Sequence, residues 1–521
     1  MRKLILLTTL VSFTLQAQNI TVASGKSFTI EKTGSVTMSG NFSNSGTFSL
    51  NSDSDEFSSI IIGGSVTGNI TYNRYVNSVG TDKWDLIGSP VSGQSINSFV
   101  TANSSTLATN GSTYAIGFYN NSNNTWTNLT SADLGGEIIF PVGTGFQMGT
   151  IANGTGILSF TGSPAATNQT QEIINNDAAN SGLGTRWNLV ANPFPSYIQG
   201  NANANATNNF LTVNSDKLDD SYEAIYGYDA DGTGYTIYNN SSGELLLAPG
   251  QGFMIASDNT NSETINNISF TTDMRTIVGG DDFITSSRAM QDSYELILKL
   301  YEGDTEIDQT KFYFEDGLNL GLDPGYDAGH FNQQASLMSR LVEEDQGIGF
   351  AVNSMGLESI NDVIIPLEIN RESGNGFRIS IHINGIYEGT NIYLEDSQEG
   401  TMTLLNEEDF ELIPEINLSE VGRFFIHLTQ TTFSIENETQ TNHLNVYKLD
   451  ANNFITVEGL AYLSNQTNLQ LYNILGEELL SISLANNTNT QTISTQELTT
   501  GIYIIKLKSG NNVITKKLII K

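Results

Sequence analysis

Apolar residues two positions apart recur through the first 76 residues: Phe28/Ile30, Val36/Met38, Phe48/Leu50, Ile60/Ile62 and Ile70/Tyr72. A period of two sends alternate side chains to opposite faces of a strand, so each pair predicts one buried face and one wet face. Gly and Asn stand between the runs, in EKTGSV, SNSGTF and IIIGGSVTGN, where turns need them. Spacing of this kind suits either a sandwich or a small solenoid-like stack.

Further along, the pattern repeats at a longer period. KWDLIGSPV at 83–91 recurs as RWNLVANPF at 186–194, IGFYNNSNNTWT at 116–127 matches IYGYDADGTGYT at 225–236, and FPVGTGFQM at 140–148 matches LAPGQGFMI at 247–255. Three landmarks in the same order predict two tandem copies of one β domain. GTGF and GQGF are too short for a phosphate loop and lack its flanking strand and helix, so they read as turns entering a strand. Residues 285–435 contain the strand-like runs YELILKLYEG, KFYFEDG, GIGFAVNSM, VIIPLEI, FRISIHI, TNIYLED and GRFFIHLT. Alternation in FRISIHI puts Phe377, Ile379, Ile381 and Ile383 on one face and Arg378, Ser380 and His382 on the other.

The predicted fold class is all-β, a multidomain chain of β-sandwich-like modules. Its divisions are a signal segment at 1–17, a short-strand module at 18–77, repeat copies at 78–170 and 171–280, an acidic module at 281–440 and a tail at 445–521. The opening MRKLILLTTLVSFTLQAQN carries Arg2 and Lys3, an apolar run from Leu4 to Leu15 and the small Ala17, the layout of a secretory signal peptide. A run of that length is too short to span a bilayer, which takes about 20 residues.

Charge changes the picture in two ways. The 521 residues carry 56 acidic and 22 basic side chains, a net of −34, which makes nucleic acid a poor partner. The excess is uneven: residues 445–521 hold six Lys and five acidic residues, so the tail differs in surface chemistry from the body. Cysteine is absent, which excludes disulfides, thiolate metal sites and a lipoprotein anchor. The four histidines, His330, His382, His427 and His443, form no HxH or HxxxH pair.

Candidate chemistry is sparse. HExxH, GxxxxGK[ST], GxSxG and CxxC are missing, and SGKS at 24–27 lacks the upstream glycine of a phosphate loop. No catalytic residue is singled out, and the expected class is non-enzymatic. Trp84 and Trp187 open their repeat copies and read either as core or as platforms for stacking a ligand. DADGTG at 229–234 resembles a calcium loop through Asp229 and Asp231, but the first copy has NNSNNT there, so a hairpin turn explains both. In GLDPGYDAGHF, Asp323 and Asp327 lie near His330 in sequence, a second weak metal or acid–base candidate that also reads as a solvated loop. No cofactor is expected, with calcium the one alternative.

The tail reads LQLYNILGEELL at 469–480, LTTGIYIIKLKSGN at 498–511 and VITKKLIIK at 513–521. In this order the three elements resemble the C-terminal type A sorting domain of type IX secretion (Por secretion system) cargo of Gram-negative bacteria. Leu498, Gly501 and Tyr503 match its L-x-x-G-x-Y pattern, Lys516 and Lys517 its basic pair, and Gly476 and Gly501 are expected at turns. The usual Pro-Asn-Pro opening is replaced by NHLNVYKLDANNFITVEG. The resemblance implies an Ig-like β-sandwich tail, passage through the outer membrane, and contact with the secretion machinery and its sorting protease or transferase. It also implies covalent attachment to surface lipopolysaccharide or release into the medium. The expected function is an exported, adhesin-like protein binding a glycan or cell-surface ligand. The alternatives are a secreted polysaccharide-degrading enzyme or its carbohydrate-binding accessory, and a structural spacer.

Overall fold

The computed structural model describes residues 14–80, 84–135, 138–177, 182–229, 234–258, 265–282, 294–386, 389–419, 421–429, 445–448, 454–458, 460, 467–473, 478–485, 490–496, 498–499, 501–509 and 512–520. The chain divides into two compact units: residues 1–291 with 324–331, and residues 292–323 with 332–521.

The first unit begins as a stack of three coils, each made of three strands. The first coil is β1 (Thr14–Ala17), β2 (Ile20–Val22) and β3 (Ser27–Ile30), and the second is β4 (Ser35–Met38), β5 (Phe42–Asn44) and β6 (Thr47–Asn51). The third is β7 (Ser59–Ile62), β8 (Val66–Thr67) and β9 (Ile70–Tyr75). Equivalent strands pair in parallel, giving the sheets β1-β4-β7, β2-β5-β8 and β3-β6-β9. Of the two architectures that the spacing admits, the structure forms the solenoid-like stack. Parallel register places like side chains over like: Val36 beside Ile60, Met38 beside Ile62, Leu50 beside Tyr72. Phe28 and Phe48 stack with ring centroids 5.0 Å apart. All ten residues of the sequence pairs lie in or against one core. Outside, Asn73 donates its side-chain amide to Asn51 at 2.8 Å, so polar residues also continue from coil to coil. Of the expected signal segment, residues 1–13 lie outside the described residues, and Thr14–Ala17 is β1; cutting after Ala17 would leave β4 as the edge strand.

Two segments with the same strand order follow, one over each set of recurring stretches. In the first, the sheet runs Asp85–Ile87, Phe146–Met148, Thr113–Asn120, with Thr125–Thr130 closing a hairpin on the last. In the second it runs Trp187–Ala191, Gly252–Ala256, Ile225–Asp229, Gly234–Tyr238. Each copy also ends on a strand that pairs antiparallel with the strand just before the copy: Ile157–Gly162 with β9, and Ile265–Phe270 with Gln169–Ile174. The boundary expected at residues 77–78 is therefore corrected. β9 is both the last rung of the stack and the first strand of the first copy. Arg74 on β9 is fully buried; it donates to the carbonyls of Pro249 and Tyr75 and pairs with Asp282.

Within each copy a short helix is fastened to the sheet by the same device. Helix Ile96–Ala102 is capped by Ser95 and helix Phe210–Asn214 by Asn209, each side chain accepting a backbone N–H three residues on. At the other end, Asn103 donates to the carbonyls of Phe99 and Ser159 and accepts from the N–H of Ser159 at 2.7 Å. Asn214 does the same with Phe210 and Ser269. Both amides are buried, so each satisfies a strand N–H and C=O that would otherwise lose their water partners.

The two copies meet by a reciprocal contact. The GTGF turn of the first lies on the opening strand of the second: Gly145 donates to Leu189 O at 3.2 Å and Ala191 to Gly143 O at 2.8 Å. The GQGF turn of the second lies on the opening strand of the first, where Gly88 donates to Gly250 O at 2.8 Å and Ile87 bridges Gln251. Thr144 and Gln251 are equivalent in the repeat, as are Val190 and Ile87, so the contact has pseudo-two-fold symmetry. It also needs glycine. A Cβ on Gly252 would sit 2.6 Å from Leu86 C, and one on Gly88 would sit 2.3 Å from the Ala191 Cβ.

The second unit contains one large sheet and a smaller sandwich. Strands Thr401–Leu404, Asn391–Asp396, Val421–Thr429, Asp362–Ile369, Leu337–Ser339, Phe350–Gly356, Thr305–Glu315, Tyr294–Glu302, Phe377–Asn384 and Phe410–Leu412 follow in that spatial order. The two ends of the sheet pack face to face, since Phe377 and Phe410 near one edge lie 6.4 and 5.9 Å from Phe424 near the other. Phe377 and Ile379 are buried in this core, with Ile381 and Ile383 packed against it, as the alternation predicts. The tail forms two sheets, Asn445–Lys448 with Phe454–Glu458 and Thr490–Ser494, and Glu478–Leu484 with Thr467–Asn473, Gly501–Ser509 and Asn512–Ile520. They enclose one core that includes Val457, Leu469, Tyr503, Ile505 and Leu507.

Candidate functional site

The sorting motif is built into the tail's larger sheet. Tyr503 is buried, and its hydroxyl donates to Thr499 O at 2.7 Å. This clamps the chain as it enters strand Gly501–Ser509, and Leu498 packs against the same core. Gly501 is not a turn residue, which corrects that expectation. It opens the strand opposite Ile520, and a Cβ there would meet only the Tyr503 ring at 3.6 Å. Gly476 lies outside the described residues. Asn512–Ile520 is an edge strand and carries the basic pair, Lys516 opposite Ile505 and Lys517 opposite Ile504. The Lys517 ammonium lies 3.8 Å from the centroid of the Phe425 ring. Burial pulls it down to about 7, against the opposing pull of Glu395.

The repeats present a second feature, the sheet face that points away from the core. Direct pairing places Leu86 beside Gln147 and Gly117 beside both Gln147 and Asn128, and Tyr119 is paired with Trp126 on that same face. Trp84 continues it two residues before Leu86. In the second copy the equivalent face holds Trp187, Leu189, Met254, Tyr226, Ile237, Tyr228 and Tyr235.

These two faces have different surroundings. Residues 324–331 belong to the first unit and lie along the second copy. Asn240 donates to Gly325 O at 2.8 Å, Tyr226 to Gly329 O at 2.8 Å, and Gly329 to Ser221 O at 2.7 Å. The Phe331 ring then stacks on Tyr235 at 4.1 Å and lies 4.4 Å from Trp187, which also touches Tyr222 and Tyr226. Trp187 is only 8% exposed. Of the two readings of Trp187, core or stacking platform, the structure forms the first: its ring is enclosed by other rings. Burial pushes the Tyr222 hydroxyl up to about 12 and raises that of Tyr226 well above its ordinary value.

Among the described residues no segment like 324–331 crosses the first copy's face, which is partly polar and meets Thr185 at its Tyr119 end. Trp84 is half-buried, while Trp126 is 38% exposed and lies 5.2 Å from Tyr119. Gln147 donates to Asn128 Oδ1 at 2.5 Å. That leaves the Gln147 carbonyl and an Asn128 amide hydrogen without a partner among the described residues. Tyr119 donates to Asn124 Oδ1 at 2.7 Å, and burial pushes its hydroxyl up to about 12.

Among the described residues the acidic candidates do not come together as a metal-binding group. Asp231 and the side chain of Asp229 lie outside the description, and the Asp229 backbone pairs with Gly234 to close the hairpin. Asp323 accepts from the backbone and side-chain amides of Asn319, at 2.6 and 2.9 Å, whereas Asp327 is fully buried in the 324–331 segment. Among the described residues no group of three His, Asp or Glu side chains is placed to hold a metal ion. His382 is exposed, and His427 is buried with its Nε2 2.7 Å from Glu395 Oε2.

Several residues of these faces went unread in the sequence. Tyr119, Trp126, Gln147 and Tyr226 stand there only inside the recurring stretches, Phe331 only at the end of GLDPGYDAGHF, and Asn128 one residue past a stretch. All but Phe331 lie within or beside the recurring stretches, so comparing the copies position by position would have found them. A further echo, FVTANS at 99–104 and FLTVNS at 210–215, marks the two helix-fastening asparagines.

Residues 445–521 match the family described as a secretion system C-terminal sorting domain. The protein is thus type IX secretion cargo, exported to the cell surface or the medium, and the secretion machinery is its partner. No curated protein matches the chain. Among solved structures, the dimeric latent PorU of Porphyromonas gingivalis aligns at 10% identity over 44% of this chain and 30% of that one, with a TM-score of 0.14. This chain therefore spans about a third of the length of that protein, and a score so low carries no argument. Residues 5–428, most of the chain, match the family described as a domain of unknown function (DUF8693), and the chain belongs to that family, with a sorting domain following it.

Proposed function

We propose that the exported body is a non-enzymatic, adhesin-like binding protein, brought to the inner membrane by its N-terminal signal and delivered outside by its tail. The observation that carries this reading is the open outer face of the first repeat copy, where Trp126 is exposed while its counterpart Tyr235 lies under Phe331. Exposed aromatic side chains grouped with polar ones are a recurrent feature of recognition surfaces, because a ring contributes a large contact area at small entropic cost. The pseudo-two-fold pairing of the copies supports the reading by holding that face on a rigid sheet. After export the body is retained on lipopolysaccharide or released.

The test uses the purified full chain on intact cells and on polysaccharide suspensions, scoring saturable binding and new reducing ends together. Saturable binding without new reducing ends is the expected outcome. Release of reducing ends would replace this reading with a hydrolase.

A further inference from the structure

We infer that the outer face of the first repeat copy, formed by Trp84, Tyr119, Trp126, Asn128 and Gln147, is a binding platform for a neutral oligosaccharide. This rests on the proposed binding role and names its site and ligand class.

The molecule contains its own control. The second copy shows what this sheet face looks like when a peptide segment occupies it. At the positions of Gly117, Asn128 and Gln147 it has Tyr226, Ile237 and Met254, all buried, and the occupant supplies Phe331 as a ring to stack on Tyr235. The first copy keeps the aromatic frame, with Trp84 for Trp187, Tyr119 for Tyr228 and Trp126 for Tyr235. It replaces the apolar centre with two amides and a glycine. A purely aliphatic or aromatic occupant would leave those amides desolvated and unpaired, at a cost of roughly 1–3 kcal/mol each. An occupant that has both apolar C–H faces and hydroxyl groups satisfies both parts of the surface. Sugar rings have that composition: their C–H bonds are positively polarised against the negative face of an aromatic ring, and their hydroxyls both donate and accept. The free Gln147 carbonyl and Asn128 N–H supply one acceptor and one donor to meet them.

Dimensions and charge narrow the class. Trp84 leads into one outer strand of a four-strand order and Trp126 lies on the other, three strand spacings of roughly 4.8 Å across the sheet and further displaced along it. That span suits several linked sugars rather than one. With a net charge of −34 the protein repels polyanions, so the glycan is neutral.

The experiment titrates the full chain against neutral polysaccharides (a mixed-linkage β-glucan, a galactomannan, a dextran) and one polyanion (pectate), with intact cells in parallel. The variants are Trp126→Ala, Trp126→Phe, and the double change Asn128→Ile with Gln147→Met, which installs the second copy's residues. Saturable binding to a neutral polysaccharide that weakens at least tenfold in Trp126→Ala and in the double variant, and recovers in Trp126→Phe, is the expected result. Neutral-glycan binding unchanged in both weakened variants would overturn the site and leave the binding role standing. Binding only to pectate, or only to cells by a non-glycan component, would overturn the ligand class and leave that role standing. No binding to any probe would overturn both. Trp126 is exposed, so unchanged thermal unfolding of Trp126→Ala separates lost binding from lost fold.

Discussion

The two repeat copies share strand order, helix caps and buried asparagines, yet one outer face is covered and the other is open. The covered face has an apolar centre and receives residues 324–331; the open one carries Asn128 and Gln147. The scaffold thus tolerates opposite surface chemistries because its inner face alone supplies the core. Fold and surface are separable in this domain, and a difference between copies is a better guide to function than what they share.

The largest test of the common scaffold is the contact between copies. Gly252→Val would drive a side chain into the Leu86 backbone, and we expect a loss of about 4 kcal/mol in the unfolding free energy of the full chain. An unchanged denaturant midpoint would show that the two copies do not depend on their reciprocal contact. Next in size is the cover. Phe331→Ala should cost about 3 kcal/mol and raise Trp187 fluorescence quenching by iodide, since that ring loses one of its walls. Trp126→Ala in the open copy should change stability by less than about 0.5 kcal/mol; equal losses for the two variants would mean the faces are not covered differently.

Below the loss expected for the cover, Asn103→Ala and Asn214→Ala should each cost about 2 kcal/mol, because each leaves a strand N–H and C=O unsatisfied. Calorimetry showing clearly unequal losses would break the equivalence of the copies. The smallest effect distinguishes Glu223 from its counterpart Tyr114. Burial first, and the charge of Asp220 second, push the Glu223 carboxyl up to about 7 from an ordinary value of 4.5. A folded-state value above the unfolded one means that ionisation opposes folding above about pH 7, and that this opposition fades as pH falls toward 4.5. Stability should therefore rise across that window, and Glu223→Gln should flatten part of the rise while Tyr114→Phe leaves it intact. Identical pH profiles for the wild type and Glu223→Gln would remove that distinction.

Much of this was legible in advance, and for local reasons. The paired apolar positions of residues 28–72 all reached the core, because alternation on a strand is a property of a few neighbouring residues. The tail pattern was legible because Leu498, Gly501 and Tyr503 lie within one turn and strand. Gly501 shows the limit of such reading: a glycine in a motif looks like a turn, but the backbone there is a strand with room for a side chain. Trp187 shows another. Nothing near it in sequence tells core from platform, because its cover, Phe331, arrives from more than a hundred residues away.

The sequence by itself determined that this chain is β-rich, repeated and exported, because strand periodicity, internal similarity and a sorting signal are each contained in short stretches of side chains. Only the tertiary structure decided that the opening strands stack as coils, that β9 serves two modules at once, and that one repeat face is buried while its twin is open. Those outcomes depend on which distant backbone edges and rings meet, and a pairing across the chain leaves no mark on the local pattern of either partner.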